Sequence, residues 1–201
     1  MNIVPEFEFK SQLAKMGYTL PNGMIIKNGR DYSGRYPVVA KVNSDKITHK
    51  TEAGAIIVDI KGQEELISSI SLLNQKFPGE EIYVEEMARR GIEVIIGLLK
   101  DEKFGKLILL GLGGFYSELL RDVTFKKLPI TRNDAEAMIG ELRYSRIFNG
   151  YRNLTTNKKM IADLLVRLSD DFNNKEFQQI DFNPIFLYAD SYLIVDAKMI
   201  V

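Results

Sequence analysis

The chain has 201 residues, 27 Lys+Arg against 27 Asp+Glu, no Cys, no Trp and a single histidine, His49. Balanced charge leaves no nucleic-acid footprint, absent Cys excludes disulfides, thiolate metal centres and thiol nucleophiles, and one His excludes multi-histidine metal sites. Acid–base or nucleophilic work near neutral pH falls to His49 or to shifted carboxylates, lysines and tyrosines.

The start, Met1-Asn2-Ile3-Val4-Pro5-Glu6, lacks the basic and apolar regions of a signal peptide. The longest near-apolar stretch, Leu107 to Phe115, contains three glycines and is only nine residues long. A bilayer span takes ~20 apolar residues. A soluble, cytoplasmic protein without a membrane partner is expected.

In chain order, Phe9, Leu13 and Met16 recur at helical spacing and Gly17 ends the run. Met24 to Ile26 reads as a short strand, and Tyr36 to Val42 as a β-branched one. Asn43 to Gly54 is a polar loop, and Ala55 to Ile60 returns to strand. Gln63 to Phe77 carries Leu66, Ile67, Ile70 and Leu73 on one helical face and stops at Pro78-Gly79. Glu81 to Met87 is a strand. Further strands follow at Ile92–Leu99, Lys106–Leu112 and Val123–Leu128. Asn133 to Leu142 and Thr156 to Phe172 are helical, and Gln179–Leu187 with Tyr192–Ala197 form a hairpin. Consecutive strands joined by short turns favour an α+β fold with mostly antiparallel sheets and helices on one face. The expected division is 1–87 and 88–201, near the exit Ala88-Arg89-Arg90-Gly91.

Five features bear on chemistry. Alternation places Val39 and Lys41 on one strand face and Val38, Ala40 and Val42 on the other. Lys41 is either an edge-strand lysine that discourages aggregation or a compact phosphate-binding charge. His49, beside Lys50 in the polar loop, is either an ordinary surface or core residue or a nucleophile. Gly111-x-Gly113-Gly114 fits neither the dinucleotide fingerprint nor the Walker loop. It marks a phosphate contact, a tight turn or a close backbone approach; Glu118 and Asp122 follow it. If Ala189-Asp190 forms the last turn, counting outward sets Asn183 opposite Asp196, with Cβ atoms ~5 Å apart. That pair suits Mg²⁺, which takes one or two protein ligands plus substrate phosphates, or is a cross-strand hydrogen bond. Glu85-Glu86-Met87 is a solvated strand exit or a receiver of nucleotide amino and hydroxyl groups.

From Tyr36 onward, about four-fifths of the chain, these pieces occur in a known order. Tyr36-Pro37-Val38-Val39-Ala40-Lys41-Val42, His49-Lys50-Thr51-Glu52-Ala53-Gly54 and Val84-Glu85-Glu86-Met87 come first. Gly91-Ile92-Glu93-Val94-Ile95-Ile96-Gly97, Asp101-x-x-Phe104-Gly105 and Gly111-Leu112-Gly113-Gly114 follow. Glu118-x-x-x-Asp122-Val123-x-Phe125, Pro129-Ile130-Thr131, Gly150-Tyr151-Arg152 and Asp181-Phe182-Asn183-Pro184 complete the series. The chain thus resembles the ATP-grasp domain of ADP-forming acyl-CoA synthetases, particularly the β subunit of ADP-forming acetyl-CoA synthetase.

The resemblance implies a two-lobed ATP-grasp fold with nucleotide held between the lobes. It implies the reaction acyl-CoA + ADP + phosphate ⇌ acid + CoA + ATP, run with a CoA-binding α subunit in a hetero-oligomer such as α2β2. Catalytic roles then fall to His49, as phosphoryl relay, and Lys50. Nucleotide contacts fall to Lys41, Glu85, Glu86, Met87, Glu93, Gly113 and Gly114, and Mg²⁺ ligation to Asn183 and Asp196. ATP/ADP and Mg²⁺ are the implied cofactors. Thr51-Glu52, Ala55 and Lys126 depart from the family pattern. They keep open a second reading, a nucleotide-binding scaffold subunit without turnover.

Overall fold

In the computed structural model the chain divides into two compact units, Asn2–Arg89 and Arg90–Val201. The structure describes residues 2–47, 50–114, 122–149 and 156–201. The expectations for His49, Glu118 and Gly150-Tyr151-Arg152 fall on residues outside that set.

The first unit contains β1 (Ile3–Val4), α1 (Glu6–Lys15), β2 (Gly23–Ile26), a 3₁₀ turn (Gly29–Asp31), β3 (Val38–Asn43), β4 (Ile56–Ile60), α2 (Gln63–Lys76) and β5 (Glu81–Glu86). Its sheet runs β2-β5-β3-β4, with each pairing antiparallel. β3 lies inside the sheet, so the edge-strand reading of Lys41 does not hold. The strand starts at Val38 and not at Tyr36, since Pro37 has no N–H to give to a ladder.

The alternation of β3 sets the two faces. Val38, Ala40 and Val42 pack with Leu66, Ile70 and Leu73 of α2 and with Ile82 and Val84 of β5. Each such burial is worth roughly 1.5–3 kcal/mol, enough to seat α2 on this face. Lys41, opposite Tyr83 in the register, lies on the other face with Val39 and Asn43. On α1 Phe9 and Leu13 are buried as expected, but so are Glu6 and Lys10. Met16 is the C-cap and is only half-buried. Asn43, expected to open the loop, is the last residue of β3. Its Oδ1 accepts from the Phe7 amide at 3.0 Å, which satisfies an orphan donor in the first turn of α1.

The second unit contains β6 (Ile92–Asp101), β7 (Gly105–Leu112), β8 (Val123–Lys127), α3 (Arg132–Glu141), a 3₁₀ turn (Ser145–Asn149), α4 (Lys158–Asn173), β9 (Gln179–Leu187), β10 (Tyr192–Ile194) and β11 (Ala197–Ile200). Its antiparallel strands run β11-β9-β6-β7-β8, and β10 also pairs with β9. Val94, Ile96 and Leu98 of β6 are fully buried, as are Leu165 and Leu168 of α4. Phe172 of α4 meets Phe182 of β9 edge-on, ring centroids 6.4 Å apart. α3 begins at Arg132 because Thr131 and Asp134 form a reciprocal capping box. Asp122 accepts from the amides of Arg143 and Tyr144 at 2.8 and 3.0 Å.

The final hairpin has the counted register, Tyr192 opposite Leu187 and Ala197 opposite Phe182. The returning strand is not continuous from Tyr192 to Ala197. It breaks after Ile194 and resumes through Ile200. The amides of Val195 and Asp196 both approach the Pro184 carbonyl, at 3.0 and 3.4 Å, and the register is the same on either side of the break. Pro184 cannot return a ladder bond, and the register of β9 against β6 shifts at the same place, between Val94 and Ile96.

Candidate active site

The polar face of the first sheet carries a buried ion-pair network. Lys41 Nζ lies 2.6 Å from Glu6 Oε1 and 2.6 Å from Glu85 Oε1. Lys10 Nζ lies 2.9 Å from Glu6 Oε1 and 2.7 Å from Glu85 Oε2. Lys50 Nζ reaches the other oxygen of Glu6, Oε2, at 2.5 Å. The Tyr83 hydroxyl donates to Glu85 Oε2 at 2.7 Å. The side chains of Glu6, Lys10, Lys41 and Glu85 are all nearly inaccessible, whereas Lys50 keeps 14% of its side chain exposed.

The local sequence builds this cluster through two periodicities. Glu6 and Lys10 are one helical turn apart, beside Phe9 and Leu13 on the buried stripe of α1. Lys41, Tyr83 and Glu85 share one face of β3 and β5 through the period of two. Burial alone would raise the Glu6 carboxyl, but the ammonium groups of Lys41, Lys10 and Lys50 together hold it well below its ordinary value. Burial and the Glu85 carboxylate push the Tyr83 hydroxyl up, so it stays a donor. The network holds three ammonium and two carboxylate groups, an excess of positive charge that suits a phosphate.

Of the residues assigned to nucleotide and catalysis, Lys41, Lys50 and Glu85 are therefore brought together. The Glu85 side chain is committed to Lys10, Lys41 and Tyr83 and is 1% exposed. Glu86 is half-buried, accepts from Asn22 Nδ2 at 3.2 Å, and gives its amide to the Asn22 carbonyl. The Met87 amide donates to the Pro37 carbonyl at 2.9 Å.

In the second unit Glu93, Gly113 and Gly114 meet. The Gly113 amide donates to the Glu93 carbonyl at 2.8 Å. A Cβ on Gly113 would stand 3.0 Å from Glu93 Cβ, so the close-approach reading of this glycine holds. Gly114 has φ +84°. Asn183 and Asp196 also meet: the Asn183 amide donates to the Asp196 carbonyl at 3.2 Å. Asp181, two residues before Asn183, is raised first by burial and then by Asp196, with Lys198 opposing. Asp181, Asn183 and Asp196 carry side-chain oxygens, the donor type that a hard cation takes. No cluster of three or more His, Cys, Asp or Glu exists among the described residues.

A family model described as an ATP-grasp domain matches residues 31–201. The chain belongs to the ATP-grasp family. It is 35% identical over 210 residues to the β subunit of acetate–CoA ligase [ADP-forming] I from Pyrococcus furiosus, covering 98% of this chain and 90% of that one. It is 34% identical over 166 residues to acetate–CoA ligase [ADP-forming] II from Archaeoglobus fulgidus, covering 83% of this chain but only 25% of that protein. Among solved structures it is similar to the dinucleotide-forming acetyl-coenzyme A synthetase 1 of Ca. Korarchaeum cryptofilum, in complex with coenzyme A and Mg-AMPPCP. There the TM-score is 0.85 at 32% identity, with 98% of this chain and 91% of that chain covered. The mixed helices and antiparallel sheets are those of an ATP-grasp fold. None of the described helices is long and apolar enough to cross a membrane.

Glu6, Lys10, Tyr83 and Asp181 are missed by sequence reasoning. A charged pair sharing a helical stripe with Phe9 and Leu13 was the available signal for the first two. The period of two from Glu85 and from Asn183 was the signal for the others.

Proposed function

We infer that this ATP-grasp chain is the nucleotide-binding subunit of an ADP-forming acyl-CoA synthetase and acts with a CoA-binding α subunit. The observation that carries this reading is its likeness, nearly end to end, to the P. furiosus β subunit. The Lys41 network supports it, because phosphoryl transfer depends on positioning and charge neutralisation more than on covalent help.

In this reading Lys41 holds nucleotide phosphate, and Glu6 and Glu85 keep its ammonium charged and aimed. Asn183 and Asp196 hold Mg²⁺, which supplies neutralisation of phosphate charge when bound. Nucleotide contacts are assigned in the first unit to Glu86 and Met87 and in the second to Glu93, Gly113 and Gly114. His49, the chain's one histidine, carries the phosphoryl group received from the α subunit. In the last step a β-phosphate oxygen of ADP forms the new P–O bond as the His49 N–P bond breaks. One proton then completes the neutral imidazole.

The test is reconstitution. The chain, a CoA-binding α subunit, acetyl-CoA, phosphate, ADP and Mg²⁺ are combined, and ATP is measured. ATP formation that His49→Ala abolishes is expected; full activity in that variant removes the relay role. A specific observation keeps the scaffold reading as an outcome: Lys126, where the family carries Arg, spends its ammonium on Glu141 at 3.0 Å. ADP–Mg²⁺ binding without ATP formation in the complex would select it.

A further inference from the structure

Glu6 lies outside every motif that carries the family likeness, yet its two oxygens join two parts of the chain. Oε1 takes Lys41 of β3 at 2.6 Å, and Oε2 takes Lys50 at 2.5 Å. Lys50 is also held through its backbone. Its carbonyl accepts from the Ala55 amide at 2.7 Å, and the Ala55 carbonyl accepts from Val42, next to Lys41, at 2.9 Å. Lys50 is thus locked to β3 twice, once through the Glu6 carboxylate and once through the main chain. It is the residue that follows His49.

The carboxylate is itself fixed. Glu6 stands in the first turn of α1, whose Phe7 amide is bound by Asn43 of β3, and Lys10 one turn on grips the same Oε1 at 2.9 Å. A buried, doubly anchored carboxylate has little freedom to follow a moving lysine. Lys50 Nζ sits on Oε2, while Lys41 and Lys10 sit on Oε1.

We propose that Glu6 is a positioning residue for phosphoryl transfer, spacing Lys41 from Lys50, and that Lys50 acts through Glu6 and not on the phosphate. The inference rests on the function given above. It moves Lys50 from the catalytic group to the anchor of the chain beside His49. Small displacements of a reacting group are costly, of the order of a hundredfold in rate for ~1 Å.

The experiment uses the full chain with its α subunit. Two quantities are read in each variant: the single-turnover rate of ATP formation at saturating ADP–Mg²⁺, and the ADP–Mg²⁺ dissociation constant by calorimetry. Lys50→Met is expected to slow the rate by about tenfold or more while the dissociation constant changes by less than about threefold. Lys50→Arg, which still reaches Glu6, should recover much of the rate. Glu6→Gln and Glu6→Asp should slow it similarly, and Glu6→Gln/Lys50→Met should be no slower than the worse single variant. A wild-type rate in Lys50→Met overturns the proposal even if the Glu6 variants do not fold. So does a wild-type rate in a folded Glu6 variant, or multiplicative losses in the double variant. If the wild-type complex makes no ATP, the functional reading fails first, and that result is distinct from a Glu6 variant that behaves like wild type.

Discussion

Lys41 shows how one residue's meaning depends on what faces it. A lysine within a central strand carries a desolvation cost that only paired carboxylates offset. Glu6 and Glu85 supply them at 2.6 Å each. The cost of breaking such a buried set by removing one partner is about 3–5 kcal/mol. Acid should expose this dependence. The folded Glu6 carboxyl lies well below its ordinary value, against the burial that would raise it, because of Lys41, Lys10 and Lys50. Its stabilisation is therefore present above the ordinary carboxylate range of about 4.3 and is lost as pH falls through the lower folded value. Urea unfolding across a pH series should show that acid loss in the wild type. Glu6→Gln should be less stable at neutral pH and should lose part of the acid slope. Identical slopes in the two proteins would refute the assignment of Glu6.

At the scale of elements, the C-terminal hairpin converts register into chemistry. The pairing of Ala197 with Phe182 leaves Asn183 against Asp196, where the ladder is interrupted. A side-chain period of two means that a slip of one residue turns a whole strand over. Deleting Asp190 from the turn should rotate Asp196 away from Asn183. Calorimetry should then show ADP binding that no longer strengthens on adding Mg²⁺, and Asp196→Asn should do the same with the turn intact. Unchanged Mg²⁺ dependence in both would remove this pair as the cation site. On the other unit, α1 serves as a lid of charge on the polar sheet face, while α2 serves as the apolar cover of the opposite one. The same strand, β3, specifies both through alternation.

At the scale of the molecule, the chain is nearly coextensive with the P. furiosus β subunit but spans a quarter of the A. fulgidus protein. In the proposed function the nucleotide falls to this chain and the CoA thioester to the α subunit. A ligand that binds only the folded state stabilises it by mass action. Free ADP–Mg²⁺ at 100 times its dissociation constant should raise the unfolding free energy by about 2.7 kcal/mol. Acetyl-CoA added to this chain alone should give no such gain. Equal stabilisation by both, seen in paired denaturation curves, would overturn the division of labour.

Much of the fold is legible in the residues themselves, because local periodicity is a local property. The strand of Val38 to Val42, the stripe of Leu66, Ile70 and Leu73, and the count that set Asn183 opposite Asp196 all follow from spacing within a single segment or hairpin. The interruption at Val195 and Asp196 does not, since it depends on how Pro184 of the partner strand shares its carbonyl. The buried charged cluster is less legible still. Lys41 and Glu6 are 35 residues apart, and Lys10 and Glu85 are 75 apart. Each charged residue alone fits a solvated surface. Only packing α1 on the polar face of the sheet removes water from these groups, and that desolvation obliges the three lysines and two glutamates to satisfy one another.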